Sequence, residues 1–302
     1  MLTNEQIIGQ ALDRIRAGYV FPEKAMELDA AIRRRAAAGE YDALDGPALC
    51  ETVTAHFQEV CPDKHLRLLW SDRPQSLEPQ DQDEGRAAFA ALLRTENQGV
   101  RRVERLDGGI GLIDLTRIAT ADGGAAAIGA AMQLVAHSPA LVLDLRDCLG
   151  GSPEGAAMWC SYFFTDDQVH LNDMHERANG ETRQFWTLPY LPGPRYPDRP
   201  VYVLTSATTF SGGEDVAYTL QAHGRAVVVG ETTRGGAHPT ARHPVTEHVL
   251  VTVPAARAVN AVTGTNWEGV GVQPDVAVPG DRALEVALKA ALEHLGADAR
   301  PA

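Results

Sequence analysis

Short apolar runs of strand length alternate with stretches of helical spacing over residues 109–254. Such alternation is typical of an α/β core, in which an at least partly parallel sheet is buried between helices. The pattern therefore predicts this fold class for the main part of the chain. The apolar runs are GIGLIDL (109–115), ALVLDLR (140–146), VYVLTS (201–206), AVVVGE (226–231) and VLVTVP (249–254), with helical stretches at 122–136, 153–164 and 211–222.

In the first 62 residues the apolar residues recur at helical spacing only. Thr3 opens a capping box, Pro22 occupies the first position of a second helix, and a third helix follows Asp45. We expect a small helical N-terminal domain over residues 1–62 and an α/β core over 63–302.

Residues 172–199 interrupt the alternation with four aromatic residues and four prolines. This segment is too long for a routine connection between two elements. Two interpretations stay open, a flap over a substrate cleft and a surface excursion packed on the core.

The charge and the hydropathy exclude two classes of partner. With 27 Lys and Arg against 40 Asp and Glu, the formal net charge is −13, whereas phosphate backbones are bound by clustered basic residues. The chain lacks the run of about 18 to 20 apolar residues that a membrane helix needs, and its charged start differs from a secretory signal. We expect a soluble cytoplasmic protein that binds neither nucleic acid nor membrane.

The four cysteines, at 50, 61, 148 and 160, form no CxxC pair. The sequence indicates neither a disulfide framework nor a zinc knuckle, and we expect reduced, mostly buried thiols. The histidines show no HExxH pattern, so no metal or other cofactor is predicted.

The segment TSATTFSGGE (205–214) follows an apolar strand and opens a helix. Ser211 would lie at this turn, where unpaired backbone N–H groups and the helix dipole can stabilise an oxyanion. The position suits a nucleophile. A plain alternative is a capping box, in which Ser211 and Glu214 only satisfy backbone groups of the first helical turn.

A second segment, DLRDCLGGS (144–152), follows another strand. Its paired glycines, Gly150 and Gly151, let backbone amides approach a ligand closely, as an oxyanion hole requires. The alternative interpretation is an ordinary tight turn.

These segments, together with DKHL (63–66), GGAHP (235–239) and GTNWEGVGVQPDV (264–276), resemble the C-terminal processing peptidases, also called tail-specific proteases. The motifs occur in the family's order from about residue 60 to 278. The chain is most similar to the branch without a PDZ module that includes the retinoid-binding protein repeats, and more distantly to the tricorn protease core. The resemblance implies a ClpP/crotonase-like mixed sheet core with flanking helices and a serine peptidase activity.

The family uses two catalytic arrangements. In the Ser-Lys branch the lysine lies 25 residues after the serine, and that position here is Gly236; the chain has only three lysines, at 24, 64 and 289. The resemblance to the tricorn-like branch instead implies Ser211 as nucleophile, His65 as general base and Glu268 as the orienting group. It also implies oxyanion donors at Gly212 and at Gly150 or Gly151.

Three positions depart from the family pattern. Cys148 and Leu149 stand where the family commonly has Asn and Gly, and Lys64 stands where the tricorn-like site has a second serine. Lys64 could pair with Glu268, act as the base itself, or be a solvated charge. His238 could line the pocket or support the base, or be an ordinary loop histidine.

The residues and the resemblance together favour a serine hydrolase that cleaves amide bonds of a peptide through an acyl-enzyme on Ser211. Two alternatives remain: a non-catalytic protein that binds an apolar, retinoid-like ligand, and a hydrolase or cyclase acting on a small biosynthetic intermediate. A homo-oligomer is compatible with each of these hypotheses.

Overall fold

A computed structural model describes residues 2–77, 82–165 and 168–298 of the chain. The helices are α1 (Asn4–Gly18), α2 (Pro22–Ala37), α3 (Gly46–Val60), α4 (Gln82–Thr95), α5 (Ala121–Val135), α6 (Pro153–Ser161), α7 (Gly212–Ala222) and α8 (Ala283–Asp298). The strands are β1 (Arg67–Trp70), β2 (Val100–Arg105), β3 (Gly111–Leu115), β4 (Leu141–Asp144), β5 (His170–Glu176), β6 (Thr182–Trp186), β7 (Val201–Thr205), β8 (Val227–Gly230), β9 (Thr240–Pro244), β10 (Val249–Pro254), β11 (Ala256–Asn260) and β12 (Val276–Ala277).

The internal contacts of the chain divide it into two units, each built from three segments. Unit 1 comprises Met1–Ala87, Met174–Arg183 and His238–Ala258, and unit 2 comprises Ala88–Asp173, Gln184–Ala237 and Val259–Ala302. The three predicted N-terminal helices are present as α1, α2 and α3. The division into a domain of residues 1–62 and a core of 63–302 stays a prediction.

Unit 1 packs helices α1 to α3 against an antiparallel sheet of order β1-β10-β9. Thr3 and Gln6 form the predicted capping box at the start of α1. The prediction that the apolar run 249–254 belongs to the α/β core is wrong, because β10 pairs with β1 and β9 and its valines lie in the core of unit 1. An apolar run encodes burial but not the partner strand.

Unit 2 contains a six-stranded sheet of order β12-β8-β7-β4-β3-β2. Strands β12, β8, β7, β4 and β3 are parallel, and β2 joins the edge antiparallel to β3. Helix α8 packs on one face through Ala283, Ala287 and Ala291, which its four-residue spacing places on one side. The prediction of an α/β fold with a mixed sheet and flanking helices is confirmed.

The predicted insertion 172–199 contains most of β5 and all of β6, which belong to a three-stranded sheet of order β11-β5-β6. Its role as a flap stays a prediction. Among the helices that the structure describes, none combines the length and apolar character needed to cross a lipid bilayer.

Candidate active site

Two loops of unit 2 meet at the carboxyl ends of neighbouring strands. Strands β4 and β7 are parallel partners, so the loops that follow Asp144 and Thr205 leave the sheet at the same edge. The Phe210 N–H donates to the Cys148 carbonyl at 2.9 Å and joins the two loops directly. The predicted serine and the predicted glycine pair therefore lie side by side.

Ser211 has a strained main chain. Its φ of 53° and ψ of −119° lie in a region that non-glycine residues rarely adopt. It is half-buried and immediately precedes Gly212, the first residue of α7. Such strain is characteristic of functional sites, where the surrounding structure holds a side chain in a fixed direction.

Gly150 packs against Ser211 so closely that no side chain fits between them. A Cβ atom at Gly150 would lie 2.6 Å from the Ser211 Cβ and 2.8 Å from the Gly212 nitrogen. Gly151 is equally restricted, because its Cβ would lie 1.9 Å from the Ile118 carbonyl oxygen. The glycine pair is therefore required for this close approach.

The backbone N–H groups at this contact differ in their partners. Within the residues that the structure describes, the N–H groups of Gly151 and Gly212 have no hydrogen-bond acceptor. The Gly150 N–H lies beside the buried Cys148 thiol and partly opposes the rise that burial causes in the thiol pKa. Gly151 and Gly212 are thus the backbone donors available to an oxyanion, and Gly212 adds the positive end of the α7 dipole.

The Glu214 carboxylate clamps the Ser211 turn from inside the protein. It is fully buried and accepts the Ser211 N–H at 2.7 Å. It also accepts the N–H groups of Gly235 at 2.6 Å and Gly236 at 2.9 Å, and the Thr233 hydroxyl at 2.5 Å. The sequence pattern predicts Glu214 only as part of a capping box, and it carries no signal for the contacts with residues 233–236.

Burial raises the pKa of Glu214 above its ordinary value, and its four hydrogen-bond donors oppose that rise. A carboxylate that accepts main-chain N–H groups is stabilised in its charged form. In this position it ties the Ser211 main chain to residues 233–236, so the main chain of the Ser211 turn is fixed before any substrate binds.

Glu268 is held in unit 2 by the same loop that contacts Glu214. Its Oε2 atom accepts the Ala237 N–H at 2.5 Å, and the neighbouring Trp267 Nε1 donates to the Gly236 carbonyl at 2.9 Å. The loop 235–237 therefore connects the Glu214 clamp to the predicted third member of the site.

The remaining predicted residues lie in unit 1. Lys64 is exposed and His65 is half-buried. His238 is buried, and its Nδ1 atom lies 2.8 Å from the Asp63 Oδ2 atom. Asp63 belongs to the DKHL motif but is not among the predicted site residues, although its position two residues before His65 is a signal that could have identified it.

Cys148 has the properties of a structural thiol. It is fully buried, and this burial raises its pKa to about 12, so the reactive thiolate is strongly disfavoured. The adjacent Leu149 is 47 % exposed and donates its N–H to the Thr116 carbonyl. Cys148 and Leu149, which depart from the family pattern, are therefore compatible with an ordered turn at Gly150 and Gly151.

The model of one known protein family covers both loops of this site. Residues 109–278, more than half of the chain, match the model of peptidase family S41. The chain therefore belongs to peptidase family S41 and is a serine-type peptidase. The matched residues contain both loops of the site, from Gly150 to Glu268.

Solved structures with the same fold cover nearly all of the chain. A peptidase from Parabacteroides merdae described as putative aligns with a TM-score of 0.67 and 18% identity, covering 97% of this chain and 98% of that chain. The photosystem II D1 C-terminal processing protease aligns at 0.55 and 14%, covering 93% and 94%. The tricorn protease aligns at 0.58 and 13%, covering 96% of this chain and 37% of that chain. These identities support a shared fold.

Proposed function

We propose that this peptidase cleaves peptide bonds through an acyl-enzyme on Ser211, with His65 as general base and Glu268 as the group that orients it. The observation that carries the proposal is the strained Ser211 main chain at the start of α7, packed against Gly150. In this scheme His65 takes the hydroxyl proton as Ser211 attacks the carbonyl carbon, and returns it to the leaving amine.

The tetrahedral oxyanion would be held by the N–H groups of Gly151 and Gly212. Both lack another acceptor among the described residues, whereas the Gly150 N–H lies beside the Cys148 thiol. This supports Gly151 over Gly150 as the second donor. Removal of one such donor typically costs about 100- to 1000-fold in rate.

The substrate that fits this proposal is an extended peptide, bound as an added strand along a sheet edge. We also propose a reducing, cytoplasmic location, which the four buried free thiols support. Size-exclusion chromatography with light scattering would show whether the protein forms a homo-oligomer.

The test is intact-mass analysis after labelling with a fluorophosphonate. We expect one adduct per wild-type chain and none in Ser211→Ala or His65→Ala, because labelling needs both the Ser211 hydroxyl and the base that takes its proton. Ser71→Ala and His137→Ala, two changes elsewhere in the fold, should label like wild type. An unlabelled, folded wild type would instead favour the apolar-ligand binding protein, and turnover of small esters but not of any peptide would favour the small-molecule hydrolase.

A further inference from the structure

A buried carboxylate in unit 1, that of Asp63, has three partners within the unit. It is 3% exposed. Its Oδ1 atom accepts the main-chain N–H of His65 at 3.0 Å, and its Oδ2 atom contacts His238 Nδ1 at 2.8 Å and the Tyr19 hydroxyl at 3.1 Å. A carboxylate so deeply buried is stable only when hydrogen bonds replace its lost hydration.

The main chain around His65 is fixed from both directions. The Thr252 hydroxyl on β10 donates to the His65 carbonyl at 2.6 Å, while Asp63 holds the His65 N–H. The Gln58 side chain on α3 donates to the carbonyls of Asp63 at 2.6 Å and Leu66 at 3.0 Å. The loop therefore presents His65 from a rigid main chain.

The donors to Asp63 are themselves held in place. Burial, followed by the charge of Asp63, raises the pKa of Tyr19, so its hydroxyl stays protonated and donates. The His238 ring packs edge-on against Phe21 with 5.5 Å between centroids. Because a carboxylate only accepts, the His238 proton that faces Asp63 must be on Nδ1.

We propose that Asp63 is a positioning residue for His65, and that His238 supports it by donating from Nδ1 to the second carboxylate oxygen. One oxygen fixes the His65 main chain and the other is locked by a histidine and a tyrosine. This inference rests on the proposed function, since it concerns the placement of the general base.

The first test compares the wild-type chain with Asp63→Asn by fluorophosphonate labelling over a range of probe concentrations. The new amide can still accept the His65 N–H, but its NH₂ group would face the His238 Nδ1–H. We expect the maximal labelling rate to fall about 10- to 100-fold, because small misplacement of a catalytic group costs rates of this order. The apparent binding constant of the probe should change less than about threefold, whereas general damage would change both.

A second pair keeps the proposal testable if Asp63→Asn does not fold. The Asn side chain of His238→Asn can place an N–H donor near the position of Nδ1, whereas His238→Ala cannot. We expect His238→Asn to label within about threefold of wild type and His238→Ala at least about tenfold more slowly. Equal rates in these two variants, high or low, would overturn the inference, as would wild-type labelling by folded Asp63→Asn.

Failure of this inference differs from failure of the proposed function. If wild-type labelling disappears in Ser211→Ala and His65→Ala but persists at full rate in Asp63→Asn, only the role of Asp63 is wrong. If Ser211→Ala or His65→Ala still labels like wild type, the proposed function itself is wrong.

Discussion

Two buried carboxylates, one in each unit, hold their surroundings in different ways. Glu214 in unit 2 accepts three main-chain N–H groups and one hydroxyl, all within 2.9 Å. Asp63 in unit 1 accepts one main-chain N–H and two side-chain donors, Tyr19 and His238. Glu214 thus organises a backbone turn, while Asp63 links a loop to side chains.

The difference predicts different consequences of mutation. Loss of Glu214 would leave several buried main-chain donors without an acceptor, which is costly to folding. Side chains that lose Asp63 can rotate toward other partners, so the larger effect there should be on the rate of reaction. Four changes, in order of expected effect on the free energy of unfolding, examine this contrast.

The largest effect is expected for Glu214→Ala. The three N–H groups and the Thr233 hydroxyl would lose their buried acceptor, so the free energy of unfolding should fall by about 3 to 5 kcal/mol. Urea unfolding measures it, with Glu285→Ala on the exposed side of α8 as a control that should change it by less than about 0.5 kcal/mol. If Glu214→Ala lowers the free energy of unfolding by less than about 1 kcal/mol, Glu214 does not stabilise the Ser211 turn and residues 233–236 through these hydrogen bonds.

Gly150→Ala should come next. The φ of +89° strains an alanine main chain, and the added Cβ would lie only 2.6 Å from the Ser211 Cβ. The free energy of unfolding should therefore fall by about 2 to 3 kcal/mol, and labelling should be markedly slower. Gly264→Ala is a matched control, because Gly264 has a φ of +65° but no atom within 4 Å of an added Cβ. Similar thermal midpoints and labelling rates for the two variants would mean that the close contact with Ser211 is unimportant.

Asp215 on α7 offers a third buried carboxylate, which accepts from Asn172 at 2.7 Å and Thr219 at 3.1 Å. Burial raises its pKa from 3.8 to about 6, so the folded state binds the proton more tightly and stability is lost as pH rises from about 4 to 6. Asp215→Asn should therefore be more stable than wild type by about 1 to 2 kcal/mol at pH 8, with no difference near pH 4.

Urea unfolding at pH 4, 6 and 8 measures this difference, and exposed Asp281→Asn serves as the control that should not show it. If Asp215→Asn is less stable than wild type at pH 8, the charged form is favoured by its two donors instead of penalised by burial.

The smallest effect is expected for Tyr19→Phe. The ring keeps its packing, and Asp63 loses one of its two side-chain donors, so the free energy of unfolding should fall by about 1 kcal/mol. Labelling should slow by less than about threefold because His238 still holds the same oxygen. A loss as large as that of Asp63→Asn would make Tyr19, not His238, the main support of the carboxylate.

Part of the site could be predicted because its signals are local. Ser211 follows an apolar strand and precedes a helix, and the paired glycines follow another strand, so both loops were predicted at strand ends. The absence of a lysine at Gly236 was enough to disfavour a Ser-Lys dyad in this chain. By contrast, Asp63 and His238 are 175 residues apart, and no local pattern joins them.

The sequence by itself determined the α/β class of unit 2, the three N-terminal helices and the strand-to-helix turn at Ser211, because hydrophobic periodicity and capping residues act over a few positions. The tertiary structure alone decided that β10 pairs with β1 and β9, that Glu214 clamps residues 233–236, and that Asp63 meets His238. These contacts join distant segments, and their energy depends on burial and geometry that exist only once the chain has folded.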